Sequence, residues 1–131
     1  MRYYLSHSIQ GKYGRDATPS QMKANCDRVL LVAAKIREAL PSIELYVPAE
    51  HEDFVATAYR DKYLTIGQIL EIDCKIIDTL DGVIVFTPLD DPIQGGRLVE
   101  YDHAIATNKP VVVFEYIWQA VEWLTHQIVR A

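Results

Sequence analysis

Strand-like apolar runs alternate with segments of helical period along the chain. Arg2–His7 is rich in aromatic side chains and predicts a first strand, and the short apolar run Ile43–Val47 predicts a second. Gly82–Thr87 and Val111–Phe114 are apolar and rich in β-branched residues, as strands buried on both faces are. Between these runs, Met22, Cys26, Val29, Leu30, Ala33, Ile36 and Leu40 recur at helical spacing, and Pro41 stops that helix. A second stripe joins Ile66, Ile69, Leu70, Ile76, Ile77 and Leu80. A third, in the tail from Tyr116, joins Ile117, Val121, Leu124 and Ile128. Thr18-Pro19-Ser20-Gln21 and Thr65-Ile66-Gly67-Gln68 are capping boxes, which place the first two helix starts. Arg97–Thr107 reads as a further helix, with Asn108-Lys109-Pro110 as its exit. Phe54, Val55, Ala58 and Tyr59 predict a short helix within Pro48–Lys62.

Alternating strands and helices imply parallel pairing, because parallel neighbours need crossover connections. The expected fold is a three-layer α/β domain, Rossmann-like or flavodoxin-like. Its open parallel sheet would have about four to five strands, with helices on both faces. No repeat or linker divides residues 1–131, so a single domain is expected. In such sheets ligands bind beyond the carboxyl ends of the strands. Attention therefore falls on the loops Ser8–Ala17, Pro48–Asp53 and Pro88–Gly96.

Composition narrows the function. The chain has 131 residues, 50% of them hydrophobic, which suits one self-sufficient core and excludes wholesale disorder. The net charge of −5 is the wrong sign for a general binder of nucleic-acid polymers. No apolar run is long enough to span a bilayer, so no membrane partner is expected. Cys26 and Cys74 sit in helical patterns without C-x-x-C spacing, as buried, reduced thiols do. The N-terminus lacks a signal-peptide pattern, and a cytoplasmic location is expected.

Four features could carry chemistry. Asp73 interrupts the apolar stripe of its helix, where a carboxylate is costly to bury. It is either satisfied by a backbone amide or an arginine, or it is a carboxyl group with a raised pKa suited to proton transfer. Asp78 falls off the stripe and reads as a solvated charge. Glu100 follows Gly95-Gly96 and lies in the first turn of its predicted helix. The dipole favours an anion there, and glycines let a ligand approach the backbone. With His103 it forms a single E-x-x-H pattern, a weak metal signal. The loop Ser6-His7-Ser8-Ile9-Gln10-Gly11-Lys12 can cradle a phosphate through backbone amides, although it matches neither standard nucleotide fingerprint. His51 stands alone in an acidic loop. Trp118 and Trp123, in the last helix, either join the core or cover a partner subunit.

In combination these residues resemble the nucleoside 2-deoxyribosyltransferase family, including its nucleoside 5′-monophosphate N-glycosidase branch. Tyr4 leads into Ser8-Ile9-Gln10-Gly11, Glu50-His51 follows the second strand, and Asp73 precedes Asp81-Gly82-Val83-Ile84-Val85. Gly96-Arg97-Leu98-Val99-Glu100, with Asn108-Lys109-Pro110-Val111-Val112 after it, is similar to the family's nucleophile segment. The resemblance covers about residues 2–114. It implies that Glu100 attacks the anomeric carbon of a nucleoside or nucleoside 5′-monophosphate, that Asp73 protonates or positions the leaving base, and that Tyr4 orients Glu100. It assigns the 5′ end to Ser8, Gln10, Gly11 and Lys12, and base or sugar contacts to His51 and Gln94. Gly96 would let the substrate approach the backbone. No metal or organic cofactor is implied. A homodimer or a larger even-numbered homo-oligomer is.

The chain departs from the family pattern at Leu98, Asp102 and Gln94, and at Gln10 and Lys12 in the loop. After Phe114 nothing matches the family's C-terminal tail. A non-catalytic nucleotide sensor and an NAD glycohydrolase are the alternative readings.

Overall fold

The computed structural model describes residues 1–51, 53, 54, 57, 61 and 63–130, with Arg15 described by its backbone alone. Strands β1 (Arg2–Ser6), β2 (Glu44–Tyr46), β3 (Gly82–Phe86) and β4 (Val111–Phe114) form one parallel sheet in the order β2-β1-β3-β4. The helices are α1 (Pro19–Ala39), α2 (Ile66–Asp78), α3 (Gly95–Ala106) and α4 (Ile117–Arg130). The chain is thus a three-layer, Rossmann-like α/β fold.

Alternation along the strands splits the core into two layers. Tyr3, Leu5, Ile84 and Phe86 face α1 and α4, where Val29, Ala33, Ile36, Ala120 and Leu124 bury. Tyr4, Val83 and Val85 face the other way, against Ile77 and Leu80 at the end of α2 and Ala104 of α3. Both capping boxes form. Thr18 accepts from the Gln21 amide and Thr65 from the Gln68 amide, and each glutamine returns the bond. Helix α1 ends at Ala39, and Leu40 caps it just before Pro41.

Several expectations change. Ser8–Ala17 is not wholly irregular, since Gly11–Asp16 winds as 3-10 turns with a break at Gly14. The helix expected within Pro48–Lys62 lies largely outside the described residues; its opening, Pro48–His51, is a 3-10 turn. Helix α3 starts at Gly95 rather than Arg97, which puts Glu100 in its second turn and not its first. Cys26 is buried but Cys74 is only half-buried, because its part of α2 borders the site. The tryptophans divide: Trp123 packs edge-on against Tyr3, whereas Trp118 is 61% exposed. Among the described residues no helix is long and apolar enough to cross a membrane.

Candidate active site

The chain leaves β1 for β2 on one side and returns to β3 on the other. The switch point of the sheet therefore lies between β1 and β3, and a crevice opens beyond their carboxyl ends. A cavity of about 950 Å³ occupies this position. Its lining includes the polar loop Ser8–Gly14, the apolar side chains of Ile66, Ile69 and Leu70, and Tyr46 and Pro48.

Glu100 sits at the inner wall, 4% exposed. Tyr4 and Ser6, two residues apart on β1, share the face that meets α3. The Tyr4 hydroxyl donates to Glu100 Oε2 at 2.5 Å and the Ser6 hydroxyl to Oε1 at 2.7 Å. Asp73 comes from α2 and lies beside Glu100 and Tyr4, close enough to shift both. Its apparent misplacement on an apolar stripe has a physical reason. The stripe serves two surroundings: Ile69, Leu70 and Asp73 line the cavity, while Ile77 and the following Leu80 enter the core. Among the described residues no backbone amide or arginine hydrogen-bonds Asp73; the groups beside it are those of the site.

Burial pushes the Glu100 carboxyl up to about 7, against the pull of the Tyr4 and Ser6 hydroxyls. Repulsion from Asp73 adds to the rise. Burial likewise raises Asp73 to about 6, while hydrogen bonds to Glu100 and Tyr4 oppose the rise. Two carboxyl groups side by side cannot both ionise cheaply, so the pair holds one proton between them and titrates as a unit. Burial and both carboxylates hold the Tyr4 hydroxyl well above its usual range, so it remains a donor.

The loop after β1 is tied back on itself. Ser8 Oγ accepts from the Gly11 amide at 2.8 Å, and Asn25 Nδ2 donates to the Ile9 carbonyl at 2.9 Å. Gly11 has φ +66°, and a Cβ there would lie 2.6 Å from Asn25 Nδ2, so only glycine fits. Across the cavity, Gly96 lets α3 approach Leu70 of α2; an added Cβ would stand 3.2 Å from Leu70 Cδ2.

Of the residues singled out from sequence, Tyr4, Ser8, Gln10, Gly11, Lys12, Asp73, Gln94, Gly96 and Glu100 all line this cavity. His51 does not. It is exposed and stacks on Tyr46, with ring centres 5.0 Å apart. Glu50 forms a two-pronged ion pair with Arg37 of α1 and anchors the turn. His103 pairs with Asp78 at 2.7 Å, and among the described residues no cluster of metal-ligating side chains occurs.

Sequence reasoning names Ser6 and His7 only within the phosphate loop and Arg97 only within the Glu100 segment, and does not single out Tyr46 on the short strand β2. For Ser6, a hydroxyl ending an otherwise apolar strand is the signal. His7 is buried and neutral: burial and then the Arg97 charge lower it to about 4, and its Nε2 accepts from the Ala49 amide. Arg97 is 1% exposed and grips the loop before α3 through Asp91 Oδ1 at 2.7 Å and the carbonyls of Phe86 and Pro92. A cation in the first turn of a helix opposes the dipole, which was a readable anomaly. The buried side-chain atoms left without a hydrogen-bond partner among the described residues are His7 Nδ1 and Arg97 Nε, both on residues that line the cavity.

Comparison of the chain with protein-family models, with curated proteins and with solved structures gives no match.

Proposed function

We propose that the protein cleaves or transfers the N-glycosidic bond of a nucleoside or nucleoside 5′-monophosphate, in the manner of the nucleoside 2-deoxyribosyltransferase family that its sequence resembles. The observation that carries this reading is Glu100. Its buried carboxyl group is held by two hydroxyl donors, lies beside a second carboxyl group, and lines a cavity of mixed polar and apolar walls.

With the shared proton on Asp73, Glu100 is an oriented anion. An Oε of Glu100 attacks the anomeric carbon, and the carbon–nitrogen bond breaks with its electron pair leaving on the base. The Asp73 proton goes to that base. The result is a glycosyl ester of Glu100 and a free base. Water, giving a proton to the Asp73 carboxylate, resolves the ester by hydrolysis; an incoming base resolves it by transfer. Two carboxyl groups dividing nucleophile and acid duties is the logic of retaining glycosidases. The apolar walls suit a flat base. Ser8, Gln10, Gly11 and Lys12 suit the 5′ end, and Gln94 and Gly96 border the sugar between them. The reading needs no metal or organic cofactor.

The exposed Trp118, with Tyr116 close in sequence, offers an apolar surface for a second copy of the chain, and a homodimer or larger even-numbered assembly belongs to this proposal.

Chromatography of nucleosides, 5′-monophosphates and NAD, each incubated with the protein with and without an acceptor base, tests the reading. Release of free base from nucleosides or 5′-monophosphates is expected. Binding without release would make the protein a nucleotide sensor, and nicotinamide release alone would make it an NAD glycohydrolase.

A further inference from the structure

Tyr46 lines the cavity near Asp73. An aromatic side chain in such a place invites the view that a base stacks on it. The geometry argues against this. The Tyr46 ring already stacks on Tyr4, with centres 5.5 Å apart and planes inclined by 20°. It also stacks on His51, at 5.0 Å and 18°. With its ring engaged by two others of the protein, what it offers a ligand is the ring edge and the hydroxyl.

That hydroxyl has no hydrogen-bond partner among the described residues, unlike the Tyr4 hydroxyl, which Glu100 occupies. Ile66, Ile69 and Leu70, which also line the cavity, offer no polar side chain, and Asp73 is engaged in the carboxyl pair with Glu100. Burial, and then the Asp73 charge, raise its pKa, so it stays protonated and able to donate. A polar substituent on a base lodged against these apolar side chains would be left unsatisfied unless this hydroxyl met it.

Resting on the reading of the cavity as a nucleotide site, we infer that the Tyr46 hydroxyl is a specificity-determining contact. It hydrogen-bonds an exocyclic oxygen or amino group of the leaving base, beside the position that Asp73 protonates. The His51–Tyr46–Tyr4 stack holds the ring edge-on for this purpose. His51 thus acts on the substrate through Tyr46 and is a positioning residue.

The test pairs nucleoside 5′-monophosphates that differ only in having or lacking one exocyclic oxygen or amino group on the base. Tyr46→Phe keeps the ring stack and removes only the hydroxyl. It should weaken affinity and kcat/KM for the substituted member by about five- to tenfold, the worth of one neutral hydrogen bond. The unsubstituted member should change less than twofold. Unmodified protein should itself prefer the substituted member by a similar factor, which needs no variant to fold. Equal losses on both members, no loss on either, or no preference in the unmodified protein would overturn the assignment. Affinity is measured beside turnover. A protein that binds both members but never releases base refutes the N-glycosidic reading, while the Tyr46 comparison is still decided by affinity.

Discussion

Glu100 is costly to the fold. Its carboxyl group titrates higher in the folded protein than in the unfolded chain because burial disfavours the anion. Folding then takes up a proton between the unfolded value and about 7, so stability is greatest below that window and falls as pH rises through it. Glu100→Gln keeps an acceptor oxygen for one of the two hydroxyls, offers its NH2 to the other as a donor, and removes the charge. It should therefore be more stable than the unmodified protein at pH 8, by on the order of 1–3 kcal/mol, and should gain little at pH 4. Chemical denaturation at the two pH values measures this; an equal effect at both would place the carboxyl group in a solvated setting. The same pair shapes the rate. The proposed mechanism requires one proton across Asp73 and Glu100, so kcat/KM should be bell-shaped, highest between the two values near 6 and 7. Asp73→Asn should lower the rate by about 10²-fold or more and remove the alkaline limb. A variant that keeps the full bell would make Asp73 a structural residue.

Single elements set how well these side chains are aimed. The loop after β1 depends on Gly11, whose positive φ and contact with Asn25 admit no side chain. Gly11→Ala adds left-handed strain of about 1–2 kcal/mol plus a clash. It should raise KM for a 5′-monophosphate more than it lowers kcat, and steady-state kinetics separate the two. Lys12 is exposed and needs no part in the fold. Lys12→Ala should narrow the preference for a 5′-monophosphate over its nucleoside by about three- to tenfold, an effect that shrinks with added salt. An unchanged preference would remove Lys12 from the 5′ end.

How much of each element could be read beforehand follows from how local its cause is. Thr18 and Thr65 announce two helix starts because a capping box is complete within four residues. The start of α3 differs from expectation because Gly95-Gly96 reads as loop; Gly95 enters the helix with φ +57°, and Arg97 just after it is tied to Asp91 and Phe86. Asp73 was legible as an anomaly but its partners were not, since they come from β1 and α3. Tyr46 gave no signal at all: its role comes from a stack of rings from two neighbouring strands and the turn after β2.

At the scale of the whole molecule, the sheet order places the candidate site beyond the carboxyl ends of β1 and β3, where the connections leave to opposite sides. Alternation in the sequence implied a parallel sheet and drew attention to the loops after its strands, but not the strand order, which comes from the structure. The outer surface carries a separate expectation. Trp118 and Val129 of α4 are left exposed, at 61% and 78%. Light scattering at micromolar concentration should give at least twice the 14.9 kDa chain mass. Trp118→Ser should shift the assembly toward the single chain. A clean monomer would withdraw the proposed assembly and leave a site complete within one chain.

The central claim concerns Glu100 and is tested most directly by base release. Unmodified protein and Glu100→Ala are each incubated with the preferred 5′-monophosphate and followed by chromatography, with circular dichroism to establish that the variant is folded. The unmodified protein should liberate free base, and the folded variant should release none above the uncatalysed background. Turnover by folded Glu100→Ala near the unmodified rate would contradict the account.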